Sequence, residues 1–164
     1  MMKLADILAK PYLFIGGSPK KDHNSFIARL RLRIAIRILL QEHNPTRKNA
    51  ALFLIGKCFQ SLKDHQNALK YFKEVWNEHA FNPILFKEIS TTCLELNNFE
   101  EGLQYALKEV SQFPNNMESQ ANLAFFLSKN NRLNEAKKLI EKTYIQAKDN
   151  DFVKKINNSI MNTQ

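Results

Sequence analysis

The sequence predicts an all-α fold, a solenoid of stacked helical hairpins with a helical segment before it and a capping helix after it. Three observations carry this reading. Gly and Pro number only 4 and 5 among 164 residues, too few for the turns that many short strands would need. Hydrophobic residues make up 44% and charged residues 24%, the mix of a chain that buries a core rather than one that stays disordered. The chain also repeats itself. Asn67-Ala68-Leu69-Lys70-Tyr71-Phe72 is similar to Glu101-Gly102-Leu103-Gln104-Tyr105-Ala106 and to Glu135-Ala136-Lys137-Lys138-Leu139-Ile140, so that Ala68, Gly102 and Ala136 are spaced 34 residues apart. A fixed period of roughly 20–50 residues marks stacked supersecondary units.

Taken in order, residues 3–9 suit a short helix that Pro11 stops, and Gly16-Gly17-Ser18-Pro19 reads as a loop. Residues 22–25 offer helix-capping side chains, and residues 26–42 then run long and apolar as far as Asn44-Pro45. Two readings compete for that run. From 29 to 38 the odd positions are Arg, Arg, Arg, Ala, Arg and the even ones Leu, Leu, Ile, Ile, Ile, the alternation of a strand, with which Tyr12-Leu13-Phe14-Ile15 could pair. The length of the run and the helical context favour a helix, packed beneath the first repeat as the second half of a degenerate unit.

The repeats agree in register beyond the small residues. Ile55, Ile89 and Leu123 are equivalent, followed by the small set Gly56, Ser90 and Ala124 and then by Phe59, Cys93 and Leu127. His65, Phe99 and Leu133 mark the start of each second helix. Val75, Glu109 and Thr143 stand near its end, where Glu109 fits an apolar position poorly. In period and residue class this pattern resembles three tandem tetratricopeptide (TPR) units over residues 49–82, 83–116 and 117–150, about 100 residues in all. Leu52, Phe86 and Gln120 stand where the family often has a large Trp. The resemblance implies a right-handed solenoid, since a single hairpin cannot bury its apolar face and must stack on its neighbours. Residues 1–48 form a basic segment before the units. In residues 151–164, Phe152, Val153, Ile156 and Ile160 recur at helical spacing, as a capping helix requires.

The resemblance also implies where a partner binds. In such proteins the first helix of each unit lines a concave groove. In this register the lining residues are Phe53, Lys57, Gln60 and Ser61, then Lys87, Thr91, Leu94 and Glu95, then Ala121, Asn122, Phe125, Ser128 and Lys129. Phe53 and Phe125 are the expected apolar anchors, since binding energy concentrates in such residues. A chaperone-type carboxylate clamp is not expected. Phe53, Lys57, Glu88, Glu118 and Asn122 occupy its places, and two acids there would repel a carboxylate tail.

Charge points to a second kind of surface. The net charge is +8, and residues 1–48 hold ten Lys/Arg against three Asp/Glu, so nearly all of the excess lies in the first third. On a helix Arg29, Arg33 and Arg37 form one stripe, a basic patch for an acidic protein, a phosphate backbone or an anionic surface. The bland alternative is a solvated helix face whose arginine stems cover apolar surface. No nucleic-acid-binding signature accompanies the stripe.

Chemistry is not expected. His23, His43, His65 and His79 fall in no metal or triad spacing, and Gly16-Gly17 lacks the Lys-Ser/Thr of a phosphate loop. Cys58 and Cys93 fit buried thiols in a reducing compartment. No signal peptide or spanning segment is legible. The expectation is therefore a cytoplasmic, non-catalytic scaffold, adaptor or chaperone-like module without metal or cofactor. It binds a protein or peptide, acidic ones included, and nucleic-acid or anionic-surface binding through the arginine stripe is the alternative.

Overall fold

A computed structural model describes residues 25–41, 43–77 and 83–163. They form eight helices: α1 (Ser25–Gln41), α2 (Pro45–Ser61), α3 (His65–Asn77), α4 (Pro83–Glu95), α5 (Phe99–Gln112), α6 (Met117–Lys129), α7 (Leu133–Gln146) and α8 (Asp151–Met161). No strand occurs among the described residues. The helix expected over 3–9, the loop at 16–19 and the partner strand at 12–15 lie outside them, as do His23 and His79. The chain divides into two compact units, Met1–Leu85 and Phe86–Gln164.

In the first unit α1 packs on α2 and α2 on α3. Residues 29–38 are helical despite their alternation. A helix cannot sort that pattern cleanly: Ala35 is fully buried, while Leu30 and Leu40 remain 48% and 78% exposed. α2 begins at Pro45, where the missing amide hydrogen costs nothing. The Asn44 carboxamide oxygen accepts hydrogen bonds from the backbone N–H of Thr46 (3.0 Å) and Arg47 (3.3 Å), so Asn44-Pro45 opens α2 as well as closing the run before it. Arg47 and Lys48, grouped by sequence with the basic segment, thus stand in the first turn of α2. Between α2 and α3 the core holds Leu52, Ile55, Ala68 and Phe72. Gly56 is required there, because a Cβ would lie 2.5 Å from the Phe72 ring.

In the second unit α5 packs on α6, α6 on α7, and α8 on both α6 and α7. Phe86, Ile89, Cys93, Ala106, Ala124, Ile140 and Val153 are fully buried. Phe86 meets Phe113 edge to face, with 6.0 Å between centroids. Ala68, Gly102 and Ala136 are each the fourth residue of a second helix and each is buried.

The helix starts repeat as well. His65, Phe99 and Leu133 open the second helices at the expected places, and Pro83, Met117 and Asp151 are also 34 residues apart. The turn inside each hairpin is built on one plan. Lys63, Asn97 and Asn131 have φ of 61°, 54° and 61°. The next residue's amide reaches back five residues: Asp64 to the Phe59 carbonyl (2.9 Å), Asn98 to Cys93 (2.9 Å) and Arg132 to Leu127 (3.0 Å). This is the left-handed helix stop of the Schellman type.

Candidate functional site

The outward face of the first helices in the second unit carries the candidate site. On α4, Lys87, Thr91, Leu94 and Glu95 recur at spacings of four, three and one, a single stripe of an α-helix, and all four are exposed. On α6, Asn122, Phe125 and Ser128 are half-buried and Lys129 is exposed. Ala121 departs from expectation: it is fully buried, and Asn122 beside it occupies the outward position. The Lys129 ammonium lies 5.6 Å from the centroid of the Phe125 ring and 6.0 Å from that of Phe99, close enough for a cation–π attraction. Phe125 also packs edge-on against Phe126 at 5.4 Å. It is therefore a braced platform under a cation rather than a projecting anchor.

A polar network ties α4, α5 and α6 together beneath this face. The Asn122 Nδ2 group donates to Ser90 Oγ (2.8 Å) and to Glu109 Oε2 (3.2 Å), and Ser119 Oγ donates to Glu109 Oε1 (2.8 Å). Glu109, the misfit of the repeat, is only 6% exposed. Its place is held by Val75 and Thr143 in the other units, and that of Ser119 by Leu85 and, in α8, by Val153. In the middle repeat these two places hold a polar pair that satisfies itself. Sequence reasoning saw the misfit but not its partners, which are 10 and 13 residues away.

The network fixes what Asn122 offers. Both amide hydrogens are engaged inward, so the carbonyl oxygen is the group left to present. Such a site accepts a hydrogen bond and does not welcome a carboxylate.

Burial pushes the Glu109 carboxyl above its ordinary range. The nearby Glu118 charge adds to the rise, and the hydrogen bonds from Ser119 and Asn122 oppose it. Folding therefore favours the protonated acid. That stabilisation is fully present below the unfolded carboxylate range and is lost as pH rises through the raised folded value. Glu109→Gln can donate to Ser119 Oγ and accept from Asn122. It is expected to be more stable than the parent at pH 8, with the advantage vanishing near pH 4. Urea midpoints at the two pH values check this, and an equal difference at both would place the effect in packing instead of charge.

In the first unit the corresponding residues lie on α2. Phe53 is half-buried with its ring 5.5 Å from that of Phe72, so it too is braced by the core. Lys57 and Gln60 are half-buried and Ser61 is exposed. On α1, Arg29, Arg33 and Arg37 are all exposed. Among the described residues, no group of three or more His, Cys, Asp or Glu side chains is arranged to hold a metal ion, and no helix is long and apolar enough to cross a membrane. Cys58 and Cys93 are buried.

Hairpins of one plan, joined by one kind of turn and started at one interval, define a helical-repeat protein, the class that builds protein-interaction surfaces. Its 34-residue period is that of a tetratricopeptide unit. A profile of the tetratricopeptide repeat family matches residues 50–75, within α2 and α3. The fold is similar to the crystal structure of YrrB, a TPR protein with an unusual peptide-binding site, at 15% identity over 83% of this chain and 82% of that one, with a TM-score of 0.53. It is likewise similar to the solved structure of the MamA RS-1 ArsTM double mutant, at 14% identity over 85% of this chain and 94% of that one, with a TM-score of 0.53. None of the curated proteins matches the sequence.

Proposed function

We propose that the chain is a non-catalytic scaffold or adaptor that binds a peptide or protein surface on the α4–α6 face of its second unit. The observation that carries this reading is the Asn122–Ser90 hydrogen bond that sets α6 beside α4, with Leu94, 41% accessible, one turn after Ser90 and the Phe125 ring under its Lys129 cap three residues after Asn122. A rigid face with a modest apolar centre and a mixed rim of Lys87, Thr91, Glu95 and Lys129 suits a peptide that lays an apolar side chain beside backbone amides. Asn122 adds an acceptor for a peptide N–H. Its committed amide hydrogens argue against a carboxylate-tail clamp. Burying what remains exposed of Leu94 against a partner contributes about 1 kcal/mol. On the first unit, Phe53, Lys57 and Gln60 form the equivalent face. A cytoplasmic site of action is part of this reading, supported by the two buried thiols.

The test is affinity selection of random twelve-residue peptides on the intact protein, followed by titration against variants. Leu94→Glu and Phe125→Ala are each expected to weaken the selected peptides at least tenfold, with circular dichroism unchanged. Peptides that bind both variants as tightly as the parent would move the site elsewhere.

A further inference from the structure

We propose that α1 carries a second docking face, separate from the peptide face, whose occupant is an acidic amphipathic helix of a partner protein. At about 100° per residue, Arg29, Arg33, Arg37 and Leu40 fall within one third of the helix circumference, with Leu30 and Gln41 at its edge. All six are exposed. Leu40 and Leu30 are 78% and 48% accessible, and Leu40 is the most exposed large apolar side chain among the described residues. No acidic residue occurs in α1. None of the three arginines has a carboxylate partner among the described residues. The face is thus a row of three cations with Leu30 beside its first member and Leu40 beyond its last.

Its spacing is that of another helix. Successive arginines in the row are four residues apart, about 6 Å along the axis, and the two leucines stand about 15 Å apart. Carboxylates at every fourth position of a facing helix repeat at the same interval, and apolar residues beside the carboxylate at one end and beyond the carboxylate at the other would meet Leu30 and Leu40. Each pair across such an interface would be partly desolvated and bidentate, the geometry in which arginine is preferred to lysine.

Other occupants fit less well. Residues 1–24 hold four lysines and two aspartates, so the chain's own preceding segment shares the sign of the row. An interfacial membrane helix buries a continuous apolar stripe, whereas α1 buries Ala35, half-buries Leu32, Ile36 and Leu39, and packs on α2, leaving two separated leucines outward among its described side chains. A phosphate backbone would satisfy the arginines but leave the leucines without purpose. The described side chains of α1 include no aromatic ring for base stacking.

The test is fluorescence anisotropy on the intact chain at low ionic strength. The probe is a labelled synthetic helix with glutamates at three positions four residues apart, a leucine beside the glutamate at one end and another beyond the glutamate at the other. Comparators are the same peptide with glutamine for glutamate, a single-stranded oligothymidylate, and phosphatidylcholine–phosphatidylserine vesicles. The acidic helix is expected to bind at least tenfold more tightly than its glutamine counterpart. The variant R29E/R33E/R37E is expected to abolish that difference, and L30S/L40S to weaken binding at least threefold with every charge retained. Leu94→Glu is expected to leave it unchanged, which separates this face from the α4–α6 one. Equal binding of the two peptides, indifference to R29E/R33E/R37E, or preferential capture of the oligonucleotide or the vesicles would overturn the proposal.

Discussion

Asn122→Asp is expected to destabilise the protein by about 3 kcal/mol at pH 7.5, the scale of breaking a buried charged contact. The substitution changes almost no volume. It removes the two hydrogen bonds that Asn122 donates to Ser90 and Glu109 and sets a second carboxylate against a buried one already held by Ser119. Glu118 adds further negative charge nearby. Two acids in contact cannot both ionise cheaply, so they would titrate as a pair that retains one proton. The folded pair's proton affinity then exceeds the unfolded chain's, and the loss shrinks as pH falls through the raised value. Urea unfolding at pH 7.5 and 4.5 measures both effects. The exchanged pair Glu109→Gln with Asn122→Asp places the amide on the other partner and is expected to recover most of the loss at pH 7.5. A double variant as unstable as the single one would show that the network is not the cause.

The second large effect is expected at Gly102. Alanine is the better helix former by about 1 kcal/mol, yet Gly102→Ala is expected to cost up to about 2 kcal/mol net. A Cβ there would run into the Phe126 ring, its Cδ1 only 2.6 Å away. The ring has little room to yield: it is 1% exposed and its neighbour Phe125 packs against it edge-on. Overpacking of this kind costs about 1–3 kcal/mol. Phe126→Leu removes the obstructing edge. The cost of the two substitutions together should therefore be smaller than the sum of their separate costs by about 1 kcal/mol or more, a coupling that a double-mutant cycle reads directly. Strict additivity would mean that the two side chains do not meet.

Much of the architecture was legible because burial follows the period. Ile55 and Ile89 are equivalent, and both are fully buried; the small residues Gly56, Ser90 and Ala124 are buried beside them. The helix start at His65, Phe99 and Leu133 was readable from one small residue three positions on. The hairpin turns were not. Lys63, Asn97 and Asn131 share a backbone state, and a lysine gives no local sign of it. The alternation over residues 29–38 of α1 is that of a strand, yet the length of the run and its helical context already favoured the helix, and α1 is one, packed on α2. At the site, residue types were legible but roles were not. Phe125 was identified, whereas its bracing by Phe126 and its cap by Lys129 depend on contacts that spacing along one helix does not disclose. Glu109 was recognised as foreign to its position, and its accommodation required Ser119 and Asn122 to be brought to it by folding.

Asn116 and Asn150 hold the starts of α6 and α8 in nearly the same backbone state, φ and ψ of −84° and 111° against −83° and 112°. The two joints are therefore interchangeable couplings. A splice made at either one could add or delete a whole hairpin while leaving the direction of the chain on both sides unaltered. Length in this molecule is adjustable in steps of one repeat, with Glu109 as the one place that must change with it, since removing α6 and α7 would set Val153 where Ser119 now satisfies that carboxyl.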